Sequence, residues 1–199
     1  MQHPTADDEQ PRPLLDGSLR DYLATLASAA PAPGGGSVAA FAAAQGAALL
    51  GMVLNLTLGR PRFAEHEAAG RAILAEAERL RAACAALIDR DAAVLGALIA
   101  SYKLPKGTPE ERATRAAAAL LPLCRDLLPI GNPTAVSDIG VAATCAVAGF
   151  RAAELNVLIN LGQLRDEAFV AATRAALADL GRGLEGEAAA ILAAVRERL

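Results

Sequence analysis

Asp91 is the side chain in this sequence most suited to proton transfer. Apolar residues recur around it at spacings of three and four, which predicts a helix with one buried face. The other members of that face are Ile73, Ala77, Leu80, Cys84, Leu87, Val94, Leu98 and Tyr102. Burial raises the pKa of a carboxyl group toward the range useful for general acid/base catalysis, whereas Asp89 is expected on the opposite side. The position alone fits a structural ion pair as well as a catalytic group.

A second set of polar residues lies on a predicted stripe of small side chains. Its members are Asp138, Ala142, Cys145, Gly149, Ala153, Asn156 and Asn160. Asn156 and Asn160 are four residues apart, so a helix presents both amides on one face. Asn55 is a third amide in apolar surroundings, and together these groups suggest one concave polar site. Helix–helix packing with interhelical hydrogen bonds is the alternative explanation of the same stripe.

A glycine-rich turn precedes the most apolar segment of the chain. Gly34, Gly35 and Gly36 allow a ligand to approach the backbone closely, and Ser37 is predicted to cap the helix that follows. Free N–H groups at the start of that helix can hold an anion, such as a carboxylate. A turn without any ligand is the plainer interpretation of these glycines.

The composition excludes several classes of function. The chain has 199 residues, 19 basic and 22 acidic, a net charge of -3 and 3% aromatic residues, which argues against nucleic acid as a partner. Two histidines and three scattered cysteines give neither a metal-ligand spacing nor a disulfide framework. We therefore expect no metal or redox cofactor. The cysteine pattern and the lack of a signal peptide predict a cytoplasmic location.

The uncharged segment 38–58 is long enough to span a bilayer, but it is rich in alanine and glycine and lacks an aromatic belt. It is therefore interpreted as a buried helix, with no membrane partner. Residues 1–16 are interpreted as a disordered leader and residues 17–199 as one all-α bundle of about six helices. The predicted helices are Ser18 to Ala29, Ser37 to Leu58, Arg62 to Tyr102, Thr108 to Leu128, Thr134 to Leu164 and Asp166 to Arg198.

Two of these helices, the second and the fifth, have too little polar surface to face water on any side. The other helices of a domain of this size can bury only part of their apolar surface. This favours a two-fold homodimer over a monomer with a thick helical shell.

Six blocks of sequence occur in an order typical of one family. They are APGGGSVAA, MVLNLTLGR, LIDRDA, LPKGTPEE, GNPTAVSDIGVAA and LNVLINL. In these blocks the chain resembles the cyclodeaminase/cyclohydrolase family of folate enzymes, over residues 18 to about 169. The resemblance implies an all-α dimer that requires no cofactor and acts on a tetrahydrofolate derivative, with or without a polyglutamate tail.

The resemblance also implies roles for individual residues. Asp91 matches the catalytic carboxylate, the second aspartate of a DxD motif. The implied substrate-binding residues are Gly34, Gly35, Gly36, Ser37, Asn55, Lys106, Ser137, Asp138, Asn156 and Asn160.

The chain departs from the family pattern between residues 119 and 131, where it is shorter by about one helix. Two functions therefore remain open. One is a formiminotetrahydrofolate cyclodeaminase or methenyltetrahydrofolate cyclohydrolase; the other is a non-catalytic helical dimer that binds folate or a protein.

Overall fold

The computed structural model describes residues 13–101 and 109–199, except for the side chains of residues 90–101 and 109. Its α-helices are α1 (Leu19–Leu26), α2 (Gly35–Thr57), α3 (Glu67–Ser101), α4 (Pro109–Leu127), α5 (Val136–Leu161), α6 (Glu167–Gly181) and α7 (Leu184–Arg196). Short 3-10 turns occur at Leu14–Asp16, Pro61–His66 and Pro133–Ala135. The predicted single-domain, all-α fold is confirmed.

The helix α2 lies at the centre of the bundle and packs against α3, α4 and α5. It runs antiparallel to α5, because Gly149 of α5 lies against Ala39 and Ala43, whereas Gly46 lies against Ala142. A Cβ atom on Gly149 would be 3.1 Å from the Ala39 carbonyl oxygen, so the small side chains bring the two backbones together. Helix–helix packing therefore accounts for the middle of the predicted stripe.

The sequence predicted most helix boundaries to within a few residues. Ser18 caps α1 as expected, with its Oγ accepting a hydrogen bond from the Asp21 amide at 3.0 Å. One boundary was missed: the predicted final helix, Asp166 to Arg198, is divided into α6 and α7. Gly183 has φ = 75° there, a left-handed conformation that favours glycine and ends a regular helix.

The core confirms the face predicted for the third helix as far as Leu87. Ile73, Ala77, Leu80, Cys84 and Leu87 are all buried. Cys84 and Cys124 pack as small apolar residues, as expected, and Cys145 is half-buried. Burial raises the pKa of Cys84 to about 11 and that of Cys124 to about 12, so both remain thiols at neutral pH.

Two helices are long and apolar enough to cross a membrane by length and composition, Gly35–Thr57 and the segment Pro133–Leu161. Contacts with three neighbouring helices explain the apolar character of α2. Both helices also keep exposed apolar side chains, which are Val38, Met52, Leu56, Val141, Leu155 and Ile159.

The segment interpreted as a leader has a structured end. Leu14–Asp16 forms a 3-10 turn, and Asp89 Oδ1 accepts hydrogen bonds from the Leu14 amide at 2.6 Å and the Leu15 amide at 3.3 Å. This corrects the prediction of disorder at residues 14–16, because the amides have a carboxylate partner on α3. Residues 1–12 lie outside the described residues, so their assignment as a leader stays a prediction.

Candidate active site

Several predicted site residues meet at the end of the bundle where α2 begins. Gly35 lies against Asn156 of α5, and a Cβ atom on Gly35 would be 2.9 Å from Asn156 Nδ2 and 3.0 Å from its Oδ1. The absence of a side chain at Gly35 therefore allows the Asn156 side chain, rather than a ligand, to lie close to the backbone. A larger residue at position 35 would displace the amide.

The glycine-rich turn differs from its prediction in one respect. The helix begins at Gly35, with Gly34 as the N-cap, so Ser37 is not the capping residue. The glycines adopt helical geometry themselves, which places Ser37 inside the first turn. Its side chain is buried, and its Oγ lies 3.2 Å from the Tyr22 hydroxyl in a hydrogen bond. Gly34, by contrast, has open space where a Cβ atom would stand.

The two asparagines of α5 have different partners. Asn156 Nδ2 donates to the Ala152 carbonyl at 2.7 Å. Asn160 Nδ2 donates to Glu110 Oε1, in the first turn of α4, at 3.3 Å. Both asparagines are half-buried, whereas Glu110 is 9% exposed. The start of α4 therefore lies beside the same end of α5 as the start of α2.

The helix α3 passes the same end of the bundle. Leu87 and Ile88 share a buried cluster with Tyr22, Ala39 and Ala40, close to the start of α2. The α3 backbone continues through Asp91, about one helical turn beyond Leu87. The side chain of Asp91 is outside the described residues, so its catalytic role stays a prediction. The predicted ligand-binding residue Lys106 also lies outside them.

Three predicted site residues lie elsewhere. Ser137 and Asp138 are in the first turn of α5, and 18 residues at 1.5 Å each place Asp138 about 27 Å from Asn156 along the helix. Asn55 is exposed near the end of α2, in a shallow groove with Glu78 and Arg81. The prediction of one concave polar site is therefore wrong within a single chain. The residues of the stripe do lie on one helix, as predicted. Because α5 is long, however, Asp138 and Asn156 lie at opposite ends of the bundle.

The end of α2 near Asn55 contains a closed hydrogen-bond network instead. The Asn132 amide donates to Thr57 Oγ1 at 2.8 Å, and Asn132 Nδ2 donates to the Leu56 carbonyl at 3.1 Å. Asn132 Oδ1 accepts from Arg62 Nη2 at 2.9 Å and from Thr134. Asn132, which lies between α4 and α5, thus links this segment to the end of α2 and to the 3-10 turn Pro61–His66. We call these four residues and Leu56 the Asn132 network.

The sequence analysis gave no site role to Tyr22 or Glu110. The Tyr22 hydroxyl lies within hydrogen-bond distance of Ser37 Oγ. Glu110 is in the first turn of α4, where acidic residues are common for electrostatic reasons alone. Nothing in the local sequence distinguishes it from its neighbour Glu111, since only the tertiary packing buries it. In the part of the chain that the structure describes, no group of three His, Cys, Asp or Glu side chains converges as metal ligands do.

Comparison with known proteins supports the resemblance noted in the sequence. The family model described as formiminotransferase-cyclodeaminase matches residues 18–119 and 113–179. The two matched segments overlap next to the region where the chain is short. Among curated proteins, the methenyltetrahydrofolate cyclohydrolase of Methylorubrum extorquens is 40% identical over a 172-position alignment that covers 76% of this chain and 83% of that protein.

A larger relative and a solved structure give the same result. The formimidoyltransferase-cyclodeaminase of Rattus norvegicus is 35% identical over 93% of this chain, which spans 38% of that protein's length. The crystal structure of formiminotetrahydrofolate cyclodeaminase from Thermotoga maritima superposes with a TM-score of 0.67 at 26% identity. That match covers 92% of this chain and 95% of the other.

Proposed function

Because this chain belongs to the formiminotransferase-cyclodeaminase family, we propose that it is an enzyme of tetrahydrofolate one-carbon metabolism. Its reaction is either the cyclodeamination of formiminotetrahydrofolate or the hydrolysis of methenyltetrahydrofolate. The observation that carries this proposal is the convergence of Gly35, Asn156, Asn160 and Glu110 at the end of the bundle that α3 passes with Asp91.

The two reactions share their chemistry at one carbon. In cyclodeamination, the second folate nitrogen attacks the formimino carbon, and ammonia leaves. In the cyclohydrolase reaction, water attacks the methenyl carbon, one carbon–nitrogen bond breaks and the ring opens to a formyl group. Both pass through a tetrahedral carbon and need proton transfer, for which we assign Asp91 as the general acid/base. A carboxylate also stabilises the positive amidinium centre. The proposal includes no metal or redox cofactor.

Two features support binding of an anionic folate tail. At the N-cap of α2, Gly34 leaves open space in which an anionic group can approach the start of the helix, and Lys106 is proposed to add a positive charge. A groove of about 560 Å³ between α3 and α4 also begins beside the site at Leu87. Arginines line this groove.

The groove arginines are Arg79, Arg112 and Arg115, and Arg79 is paired with Glu76. We propose that the other two contact the carboxylates of a polyglutamate tail. Arg112→Gln together with Arg115→Gln should then raise KM for a pentaglutamate substrate more than KM for the monoglutamate. Equal effects on both substrates would rule out this part of the proposal.

The alternative, a non-catalytic folate- or protein-binding dimer, is suggested by the shortened segment. That segment follows α4, whose 19 residues extend about 27 Å from Pro109 to Leu127. The shortening is therefore at the end of α4 remote from Glu110 and Asn160, which favours the enzyme.

An ultraviolet assay separates these possibilities. Methenyltetrahydrofolate absorbs in the near ultraviolet, so a cyclohydrolase decreases the absorbance of added methenyltetrahydrofolate, and a cyclodeaminase increases it from formiminotetrahydrofolate. Protein unfolded by heat serves as the control. Turnover of neither substrate, together with binding of tetrahydrofolate, would favour the non-catalytic alternative.

We further propose a cytoplasmic homodimer formed across the exposed apolar faces of α2 and α5. Leu155 and Ile159 are 67% and 68% exposed, which is unusual for side chains of this size. Light scattering should give twice the chain mass at micromolar concentration, and Leu155→Glu should shift it to the monomer. Leu19→Glu on α1, where Leu19 is 58% exposed, is the matched control. A monomeric parent protein would contradict the proposal.

A further inference from the structure

Two of the three arginines in the groove between α3 and α4 are unpaired among the side chains that the structure describes. Arg79 forms a salt bridge with Glu76, whereas Arg112 and Arg115 form none with any described carboxylate. Both are exposed, and they are three residues apart, so they are neighbours on the surface of α4. The rest of the groove lining is leucine and alanine. The groove therefore fits an occupant that brings carboxylates to two guanidinium groups.

The N-terminal turn is fixed to α3 beside this groove. Leu14 packs against the buried cluster that contains Leu87, and its amide donates to Asp89 Oδ1 at 2.6 Å. Asp89 is three residues from Ala86, which lines the groove, so these two residues are neighbours on the helix surface. The residues that precede Leu14 are therefore attached to the protein next to the edge of the groove.

The residues before the N-terminal turn supply the charge that the groove arginines lack. The segment 1–12 lies outside the described residues, and its sequence contains three consecutive acids, Asp7, Asp8 and Glu9, which we call the acidic segment. The residues 102–108, between α3 and α4, also lie outside them, but they contain two lysines and no acid. Charge complementarity therefore selects the acidic segment, rather than the connection between α3 and α4, as the occupant of the groove.

The chain between the acidic segment and the N-terminal turn is long enough for this contact. Asp8 is six residues before Leu14, and six residues extend at most about 20 Å. The lining residues of α3 run from Arg79 to Leu87, a rise of about 12 Å. A short tether also gives the acids an effective concentration in the millimolar range, so ion pairs that are weak at a protein surface can compete with a free ligand.

We propose that the acidic segment of this chain occupies the groove between α3 and α4 and contacts Arg112 and Arg115. The same arginines are the proposed contacts of a polyglutamate tail, so the acidic segment is an internal competitor of that tail. The competition rests on the proposed folate function, whereas the docking of the acidic segment does not. A tail must displace the acidic segment in order to bind, which favours long tails with many carboxylates over short ones.

Chemical modification of arginine tests the docking without any ligand. Phenylglyoxal reacts with accessible guanidinium groups, and peptide mass spectrometry gives the rate at each arginine. The neutral variant replaces the acids of the acidic segment by their amides (D7N, D8N and E9Q). Its two unpaired groove arginines should react about three to ten times faster than those of the parent, which corresponds to the loss of a few surface ion pairs. Arg174, exposed on α6, should react at the same rate in both proteins.

A second variant with the same change of net charge is the matched control. It combines Glu65→Gln, Asp179→Asn and Glu197→Gln, three exposed acids elsewhere on the surface, and its groove arginines should react as in the parent. Equal rates in the parent and the neutral variant would overturn the proposal. Protection that rises with protein concentration would also overturn it, because a second copy of the chain would then cover the groove.

Isothermal titration with penta-γ-glutamate, which has no pteridine ring, measures the competition. Its Kd should be about three to ten times lower for the neutral variant than for the parent, and Arg112→Gln with Arg115→Gln should weaken binding to both and remove the difference. Faster modification with an unchanged Kd would overturn the competition alone. Faster modification and a lower Kd in a protein that turns over neither folate would support the docking and contradict the enzyme function.

Discussion

The two ends of the α2–α5 pair contain similar residues and use them differently. At the Asn132 network, every polar atom of the Asn132 side chain has a partner within the protein, and the network ties three segments together. At the end of the bundle where α2 begins, which we call the α2-start end, Asn156 and Asn160 each donate one N–H within the protein, and Glu110 keeps an oxygen without a partner among the described residues. Each end also begins a helix after a turn that contains glycine and proline.

The difference separates stability from binding. A satisfied buried network contributes to folding and has nothing to offer a ligand, whereas unsatisfied acceptors destabilise the free protein until a ligand supplies donors. Both ends contain asparagine side chains next to apolar residues. The partners of each polar atom are what distinguish a structural network from a binding site.

The largest expected effect is that of Asp91→Asn, which tests whether the α2-start end carries out catalysis. Turnover should fall by about 100- to 10,000-fold, the usual contribution of general acid/base catalysis. The thermal midpoint should stay the same or rise slightly, because the sequence predicts an apolar face around Asp91 and the variant removes a charge from it. Steady-state rates and thermal melts of the purified variant measure both quantities.

Asp89→Asn provides the control for Asp91. The carboxamide oxygen still accepts the amides of Leu14 and Leu15, so stability and turnover should change little. If Asp91→Asn kept near-parental turnover, or lost it only through unfolding, the catalytic assignment would be wrong.

The Asn132 network should show the opposite behaviour. Asn132→Ala removes the side-chain hydrogen bonds to the Leu56 carbonyl and the Arg62 guanidinium; Asn132 is 4% exposed, whereas Leu56 and Arg62 are exposed. The free energy of unfolding should decrease by about 1 to 3 kcal/mol, because each of these two hydrogen bonds contributes about 0.5 to 1.5 kcal/mol net. Urea unfolding measures the loss. A KM that rises in the folded variant would mean that this end also belongs to the site.

A third variant, Gly35→Ala, changes the α2-start end by adding one methyl group beside Asn156. The new Cβ atom would be 2.9 Å from Asn156 Nδ2, so the amide must move and its hydrogen bond to Ala152 weakens. Folate binding should weaken about 3- to 10-fold, equivalent to the net value of one hydrogen bond. Folate titrations and thermal melts of the variant measure affinity and stability separately. A loss of stability without a loss of affinity would show that Gly35 has a purely structural role.

Gly186→Ala gives the smallest expected effect and serves as the control for Gly35→Ala. Gly186 lies within α7, and no heavy atom is within 4 Å of the position of its Cβ. Alanine should raise the free energy of unfolding by about 0.5 kcal/mol, since it restricts the unfolded chain. Folate affinity should not change, and any change would show that glycine variants perturb the site at a distance.

Much of the fold was predictable because it depends on local pattern. The buried face from Ile73 to Leu87 follows from spacing, and the cap at Ser18 follows from residue type. The break at Gly183 was harder to predict, because Gly181 and Gly186 are equally plausible positions. Only the left-handed backbone at Gly183 identifies it.

The site was predicted less completely, for a physical reason. Spacing shows that Asn156 and Asn160 share a helix face, and this was correct. It does not show which end of a neighbouring helix lies beside them, so Asn55 is far from them within one chain, and the length of α5 separates Ser137 and Asp138 from them as well. Glu110 was missed because its burial arises entirely from packing against α5.

The hydrogen bond between the Leu14 amide and Asp89 makes the N-terminal turn a reporter of the nearby α3 segment. An amide held by a carboxylate exchanges its proton with solvent only when the contact opens. Hydrogen–deuterium exchange at Leu14 should therefore be slow in the free protein. It should become slower still when a bound ligand rigidifies α3, two residues from Asp91. A mass spectrometer could follow occupancy of the site in this way, without a label and without any change to the residues that bind.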